Sequence, residues 1–401
     1  MKRIYMDNAA TTPVDAGVLE AMKPYFSQKF GNASSIHCFG QEAKKALEES
    51  RTMVANLINA QPDEIVFTSG GTESNNLAIR GVVMSDKNKK GEDGSGAVKP
   101  ELGKGKGHII TSQVEHHAVL HTCEQLEKEG FEVTYLPVDK HGIVRPADVE
   151  KAIRKDTILV SIMHANNEIG TVEPIAEIGS ICRQAGVLFH TDAVQTLGKI
   201  PIDVRKMGID LLSASAHKLY GPKGVGCLYV RSGIELRPQN TGGGHEFGKR
   251  SGTENIAGIV GFAKACELCQ KNMAKRAATE TSLRNKLIKE LLKIIPNSRL
   301  NGHAEKRLPN NVNMAFSGIE GESMVIHLDL KGVAASTGSA CSSKSLEPSH
   351  VLLSIGMKPK DAHGSLRLTL GKDSTKEDVD YIIKVLPGIV KNLRKISPFG
   401  K

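Results

Sequence analysis

The sequence predicts an α/β protein built on a largely parallel sheet, and two observations carry that reading. Through the middle of the chain, short apolar runs alternate with amphipathic stretches, the pattern left by strands joined through crossover helices. Several of those runs close on polar or glycine residues, where open parallel sheets bind ligands, beyond the carboxyl ends of their strands. At 401 residues the chain has length enough for two domains. The expected division is a large domain over 14–270 and a smaller α+β domain formed by 1–13 and 271–401.

Taken in order, Ile65-Val-Phe-Thr, His108-Ile-Ile-Thr, Val133-Thr-Tyr-Leu, Thr157-Ile-Leu-Val-Ser-Ile-Met, Val187-Leu-Phe-His, Asp210-Leu-Leu-Ser and Val225-Gly-Cys-Leu-Tyr-Val read as strands. Each is a short apolar run of the length a buried strand needs. Helical periodicity lies between several of them, as in Ala118 to Glu129 and Ile175 to Arg183. Residues 85–107, rich in Gly and Lys, read as a polar surface loop without chemistry of its own. A long helical region is expected from about residue 263. Short strands follow near 311–316, 325–330 and 366–370, then a last amphipathic helix from Glu377 to Arg394.

Composition narrows the function classes. A hydrophobic content of 39% and a charged content of 24% are those of an ordinary globular protein. No apolar run reaches membrane-spanning length, and the first residues lack a signal peptide's apolar core, so a cytoplasmic location is expected. Seven irregularly spaced cysteines do not form a disulfide framework. Cys266-Glu-Leu-Cys269 has the spacing of a metal or redox pair, but it lies in a helical pattern with no second pair or histidine at ligand spacing. The net charge of +9 is spread along the chain, with few aromatics to stack bases, and a nucleic-acid role is not expected.

The most informative stretch is Ser213-Ala-Ser-Ala-His217-Lys218, running into the glycine-rich Tyr220 to Gly226. Lys218 sits among small residues after a strand. A desolvated lysine amine there can lose its proton and attack an aldehyde, such as the one pyridoxal phosphate supplies. That cofactor also needs a carboxylate near its ring nitrogen, and Asp192, which also suits a helix N-cap, closes the preceding strand unit. Thr68-Ser-Gly-Gly71-Thr72 is a glycine turn opening a helix, suited to a phosphate or simply to a helix start. His116 follows another strand and either stacks on a flat ring or stays a polar loop residue. Asn166-Asn167 makes a turn or binds a ring oxygen. Cys341, flanked by small polar residues with Lys344 nearby, suits an exposed thiol able to ionise near neutral pH.

Together these residues resemble the pyridoxal-phosphate-dependent cysteine desulfurases of the NifS/IscS type, within the class V aminotransferases. The resemblance spans nearly the whole chain. It includes Tyr5 to Pro13, Gly31-Asn-Ala-Ser-Ser, Thr68 to Asn75, Glu115-His116, His164 to Gly170, His190 to Gln195, Ser215 to Lys218, Gly242 to Glu246, Arg250 to Thr253 and Ser339-Ala-Cys341 with Leu346-Glu-Pro-Ser. The Ser-Ala-Cys-Ser-Ser context is that of the first desulfurase group. The resemblance implies the fold-type I architecture and a role for each matching position. Lys218 would hold the cofactor covalently, His116 would stack on its ring and move protons, Asp192 would pair with the ring nitrogen, and Gln195 with the ring oxygen. Gly71, Thr72, Ser215 and His217 would hold the phosphate, joined by Thr253 of a second subunit in a homodimer. Asn167 would contact cofactor or substrate. Arg367 would clamp the substrate carboxylate, assisted by Asn32. Cys341 would take sulfur from L-cysteine as a persulfide, leaving L-alanine, and pass it to an iron–sulfur scaffold or thiolation enzyme. No resident metal is implied, although Cys341 can transiently ligate an iron–sulfur centre. The chain departs from the pattern in its longer 85–107 segment and its short end after Ile396. Two alternatives stay open on sequence alone: a selenocysteine lyase or other fold-type I lyase, and a sulfur-carrier or cluster-assembly scaffold with little turnover.

Overall fold

The computed structural model describes residues 3–85, 107–337 and 348–397. Its strands are β1 (Ile4–Tyr5), β2 (Ile65–Thr68), β3 (His108–Ser112), β4 (Glu132–Leu136), β5 (Thr157–Ser161), β6 (Leu188–Asp192), β7 (Leu211–Ser215), β8 (Gly226–Val230), β9 (Ser298–Leu300), β10 (Asn311–Phe316), β11 (Val333–Ala334) and β12 (Ser365–Thr369). Strands β2 to β8 form a seven-stranded sheet in the order β2-β8-β7-β6-β5-β3-β4. The β4-β3-β5-β6-β7 block is parallel, and β8 runs antiparallel to both β7 and β2. All seven apolar runs read from the sequence lie in this sheet. The parallel strands β3, β5 and β7 are buried at every position, as expected when helices cover both faces. Two apolar cores do that covering, one on each side of the sheet.

A third core lies elsewhere. Strands β9, β10 and β12 form an antiparallel sheet. It packs with Leu287, Leu291 and the helix Lys376–Ile396, whose Val379, Ile382, Leu386 and Val390 form the apolar stripe. Thr375 and Asp378 close that helix with a capping box. Ile4 and Met6 join this core, because β1 pairs with β11 and Asp7 bridges to Thr369.

One helix, Ile256–Ile294, runs 39 residues and serves both regions. Its first part, through Cys269, packs in the large core, while Leu287 and Leu291 pack in the small one. The domain boundary expected near residue 270 therefore falls inside a continuous helix. Cys266 and Cys269 are buried on it as apolar side chains, and among the described residues no group of His, Cys, Asp or Glu is arranged to hold a metal.

One sequence expectation is corrected. The 325–330 segment is not a strand but the second half of the helix Gly321–Asp329. Met324 and Leu328, four residues apart, are its buried face, a helical spacing that a short apolar window cannot tell from a strand. Residues 86–106 of the Gly/Lys-rich stretch lie outside the described residues. Among the described residues no helix is long and apolar enough to cross a membrane.

Candidate active site

Five strand ends converge on one cleft of about 300 Å³. The segments leaving β2, β3, β5, β6 and β7 deliver Gly71 and Thr72, His116, Asn167, Asp192 and Gln195, and Ser215, His217 and Lys218. Arg367 reaches the same cleft from β12 of the smaller sheet. The sequence resemblance named all these residues, and the fold brings them together from positions nearly 300 residues apart.

Lys218 sits on the short turn after β7, and its Nζ donates to the carbonyls of Ala9 (2.6 Å) and Ala10 (2.7 Å). The N-terminal segment is held over this turn. Thr12 donates from both its backbone N–H and its hydroxyl to the carbonyl of His217 (2.9 Å each), and Tyr220 N–H donates to Thr12 Oγ1 at 2.8 Å. Burial, reinforced by Lys218 and Lys223, pushes His217 down to about 4. It is therefore neutral at pH 7, with Nδ1 3.1 Å from Thr11 Oγ1.

Asp192 is buried, and its carboxylate accepts from Asn75 Nδ2 (2.7 Å) and Val194 N–H (2.9 Å). His116 caps the helix His117–Lys128, with Nδ1 accepting from Ala118 N–H at 3.1 Å. Burial holds it below its ordinary range, although Asp192 opposes the shift. A neutral ring whose Nδ1 accepts carries its proton on Nε2. Arg367, with its side chain only 2% exposed, ion-pairs with Asp7 at 2.9 Å and donates from Nη1 to the Asn167 carbonyl at 3.0 Å.

The helix Gly71–Val83 starts at the cleft with no side-chain cap, so its first N–H groups and its dipole are offered to an anion. Gly70 has φ 153°, and a Cβ on Gly71 would lie 2.6 Å from Val194 Cγ2, so the turn requires glycine. Asn75 Oδ1 is buried in the cleft wall and has no hydrogen-bond partner among the described residues. An uncapped helix start, a buried carboxylate and a lysine amine form the donor set that a phosphorylated aromatic aldehyde with a basic ring nitrogen requires. The residues present fit pyridoxal phosphate.

Two expected contributors are not in this cleft. Asn32 uses its side chain on the Ser34 N–H at 2.9 Å, and Thr253 is exposed and outside the cleft lining. Cys341 lies outside the described residues. Sequence reasoning missed Asn75, which fixes Asp192, and two buried acids. Glu115 accepts from Ser112 Oγ (2.7 Å) and Met163 N–H (2.9 Å), and burial pushes it up to about 8. Glu168 accepts from Ser349 Oγ at 2.5 Å and is likewise raised by burial. Asn75 lies four residues beyond Gly71, one helical turn along the same face, and that spacing was the available signal.

Comparison with known proteins extends over the same ground. The aminotransferase class-V family matches residues 4–382. The chain is 56% identical to the cysteine desulfurase IscS of Dictyoglomus turgidum, covering 100% of this chain and 98% of that one. It is 53% identical to the cysteine desulfurase IscS of Methanosarcina thermophila, covering 99% and 94%. Among solved structures, a NifS-like protein superposes with a TM-score of 0.88 at 39% identity, covering 98% of this chain and 100% of that chain. SspA in complex with cysteine superposes with a TM-score of 0.78 at 40% identity, covering 92% and 99%.

Proposed function

The chain belongs to the aminotransferase class-V family, and on that premise we propose that it is a pyridoxal-phosphate-dependent cysteine desulfurase. It converts L-cysteine to L-alanine and leaves the sulfur as a persulfide on Cys341. One observation supports this above the others: Lys218, Asp192, His116 and the uncapped Gly71 helix line one cleft with Arg367. Relatives named cysteine desulfurase over their full length support the choice of reaction.

Bound pyridoxal phosphate supplies a protonated ring that takes up the electron pair released at the substrate Cα. The chain's own residues do the rest. Gly71, Thr72, Ser215 and His217 would hold the phosphate, and Asp192, oriented by Asn75, would keep the ring nitrogen protonated. Arg367 grips the substrate carboxylate with a guanidinium that Asp7 and the Asn167 carbonyl hold in place. Lys218, with its amine free, would take the Cα proton, and His116 would be a second proton carrier. The Cys341 thiolate attacks the substrate sulfur. The substrate C–S bond breaks, an S–S bond forms, and the carbon skeleton takes a proton at Cβ and regains its Cα proton, leaving as alanine. The products are L-alanine and one Cys341 persulfide for each cysteine.

The enzyme acts as a homodimer with Thr253 completing the partner's phosphate site, and hands its sulfur to an iron–sulfur scaffold or other acceptor. The six cysteines among the described residues are free thiols, which supports a reducing, cytoplasmic setting. The reaction is tested by supplying L-cysteine and dithiothreitol and measuring alanine and sulfide together. The parent yields both in equal amounts, and Cys341→Ala binds cofactor but yields no sulfide above background. Sulfide release by Cys341→Ala at the parent's rate would remove the persulfide from the scheme. Faster turnover of selenocysteine than of cysteine would favour the lyase alternative.

A further inference from the structure

Lys199 is buried and takes no part in the scheme above. Its side chain is 8% exposed as a residue, and its Nζ donates to the Gln195 carbonyl at 3.0 Å and lies 3.5 Å from Gln195 Oε1. Gln195 Nε2 in turn donates at 3.0 Å to the Ala9 carbonyl, the same acceptor that Lys218 Nζ uses at 2.6 Å. A carboxamide has two faces, and this setting distinguishes them. Turned over, Gln195 would aim its NH2 at the Lys199 amine and its oxygen at the Ala9 carbonyl oxygen. Both contacts would be repulsive.

A lysine in such a place is costly unless its charge is matched and its donors are used. The match comes from the long helix, where Glu280 is 4% exposed. Burial pushes Lys199 down and Glu280 up, and each opposes the other's shift, with Arg276 and Cys269 as the remaining titratable neighbours. The turn is clamped to that helix. Gly198 has φ +75°, and a Cβ there would lie 3.0 Å from Cys269 Cβ.

We propose that Lys199 is a positioning residue that locks the Gln195 carboxamide with its NH2 toward the cleft and its oxygen inward. The free N–H then faces the cofactor beside Lys218, where it donates to the ring oxygen. This inference rests on the cleft being a pyridoxal-phosphate site, and it assigns Lys199 and Glu280 a role in tuning the bound cofactor from behind Gln195.

The test compares the parent, Lys199→Met, Gln195→Ala and the double variant. Each is measured for its dissociation constant for pyridoxal 5′-phosphate and for the pH midpoint of the bound cofactor's visible band. Lys199→Met is expected to weaken binding about threefold to tenfold, the worth of one oriented hydrogen bond, and to move the midpoint. In the Gln195→Ala background it is expected to change neither. An equal loss in both backgrounds, or an unchanged midpoint in Lys199→Met, would overturn the inference. Lys199→Met leaves Glu280 buried without its cation, so the same comparison is repeated on a Glu280→Gln chain, where no acid is stranded. A parent that binds no pyridoxal phosphate would instead refute the reading of the cleft.

Discussion

Arg367 shows how much one side chain's geometry decides. Its guanidinium is held from two sides, by the Asp7 carboxylate and the Asn167 carbonyl, so its fork is fixed before any substrate arrives. A lysine carries the same charge but not the planar pair of donors. Arg367→Lys is therefore expected to raise KM for L-cysteine roughly 10- to 100-fold, the range for losing a bidentate charge-assisted contact, with a smaller change in kcat. Steady-state kinetics on a variant with an unchanged melting temperature would decide it, and an unaltered KM would remove Arg367 from substrate binding. Arg367 itself was legible in the sequence through its motif, as were Lys218 and Asp192. The residues that hold them were not. Asp7 and Asn75 act through contacts across 360 and 117 residues of chain; helical spacing puts Asn75 on the face of Gly71, but no local pattern names a partner so distant. Glu115 stood in a quoted motif, but its role depends on burial, which only the folded sheet supplies.

At the level of strands, two histidines tie the large sheet together. His108 on β3 reaches Thr157 on β5 and Thr134 on β4, each at 2.8 Å. His190 on β6 reaches Ser161 on β5 (2.8 Å) and Ser213 on β7 (3.0 Å). Both are buried, and burial pushes His108 down to about 4 and His190 to about 3. The unfolded chain protonates such rings near pH 6.5, so between that pH and the folded value the unfolded state binds more protons. Stability is then full above pH 6.5 and falls as the pH drops toward 3 to 4. Glu115, raised to about 8, works in the opposite direction, stabilising most below its unfolded value and losing that contribution as the pH rises through 8. The comparison that isolates one ring is His190→Gln against the parent. The variant should be less stable at pH 7 but lose less of its melting temperature between pH 6.5 and 4. Parallel curves would mean that His190 is not held neutral. The strands bearing these rings were legible because β-branched and apolar residues run together in them. The 325–330 segment misled because Val325, Ile326 and Leu328 make an equally apolar run, and the helical form is selected by packing against the helix Lys376–Ile396, β11 and β12.

Across the whole molecule, the site draws on parts of the chain that fold into different cores, and Thr253, the proposed phosphate ligand from a second subunit, does not line it. Thr253 follows a segment anchored at Glu246, whose carboxylate is buried against Arg51 (2.8 and 3.0 Å) and the Phe67 N–H (2.8 Å). Glu246 and Phe247 adopt φ of 45° and 57°, conformations costly for non-glycine residues. The segment is thus held firmly, yet it presents Thr253 to the exterior and not to its own cleft. A rigid segment aimed away from its own site is what a shared site in a symmetric dimer requires. Thr253→Ala and Lys218→Ala should each be deficient as homodimers, the first retaining cofactor poorly and the second lacking the visible band of attached cofactor. Co-expressed with different tags, they form mixed dimers. In those, the chain that keeps Lys218 meets a partner that keeps Thr253, so one of the two sites is whole. With random pairing about half the dimers are mixed, and about a quarter of all sites recover. Recovery of desulfurase activity and of tight cofactor binding in the doubly tagged fraction would place Thr253 in the partner's site. If Thr253 served its own chain, every site in the mixed dimer would still lack one of the two residues, and that fraction would stay as deficient as its parents.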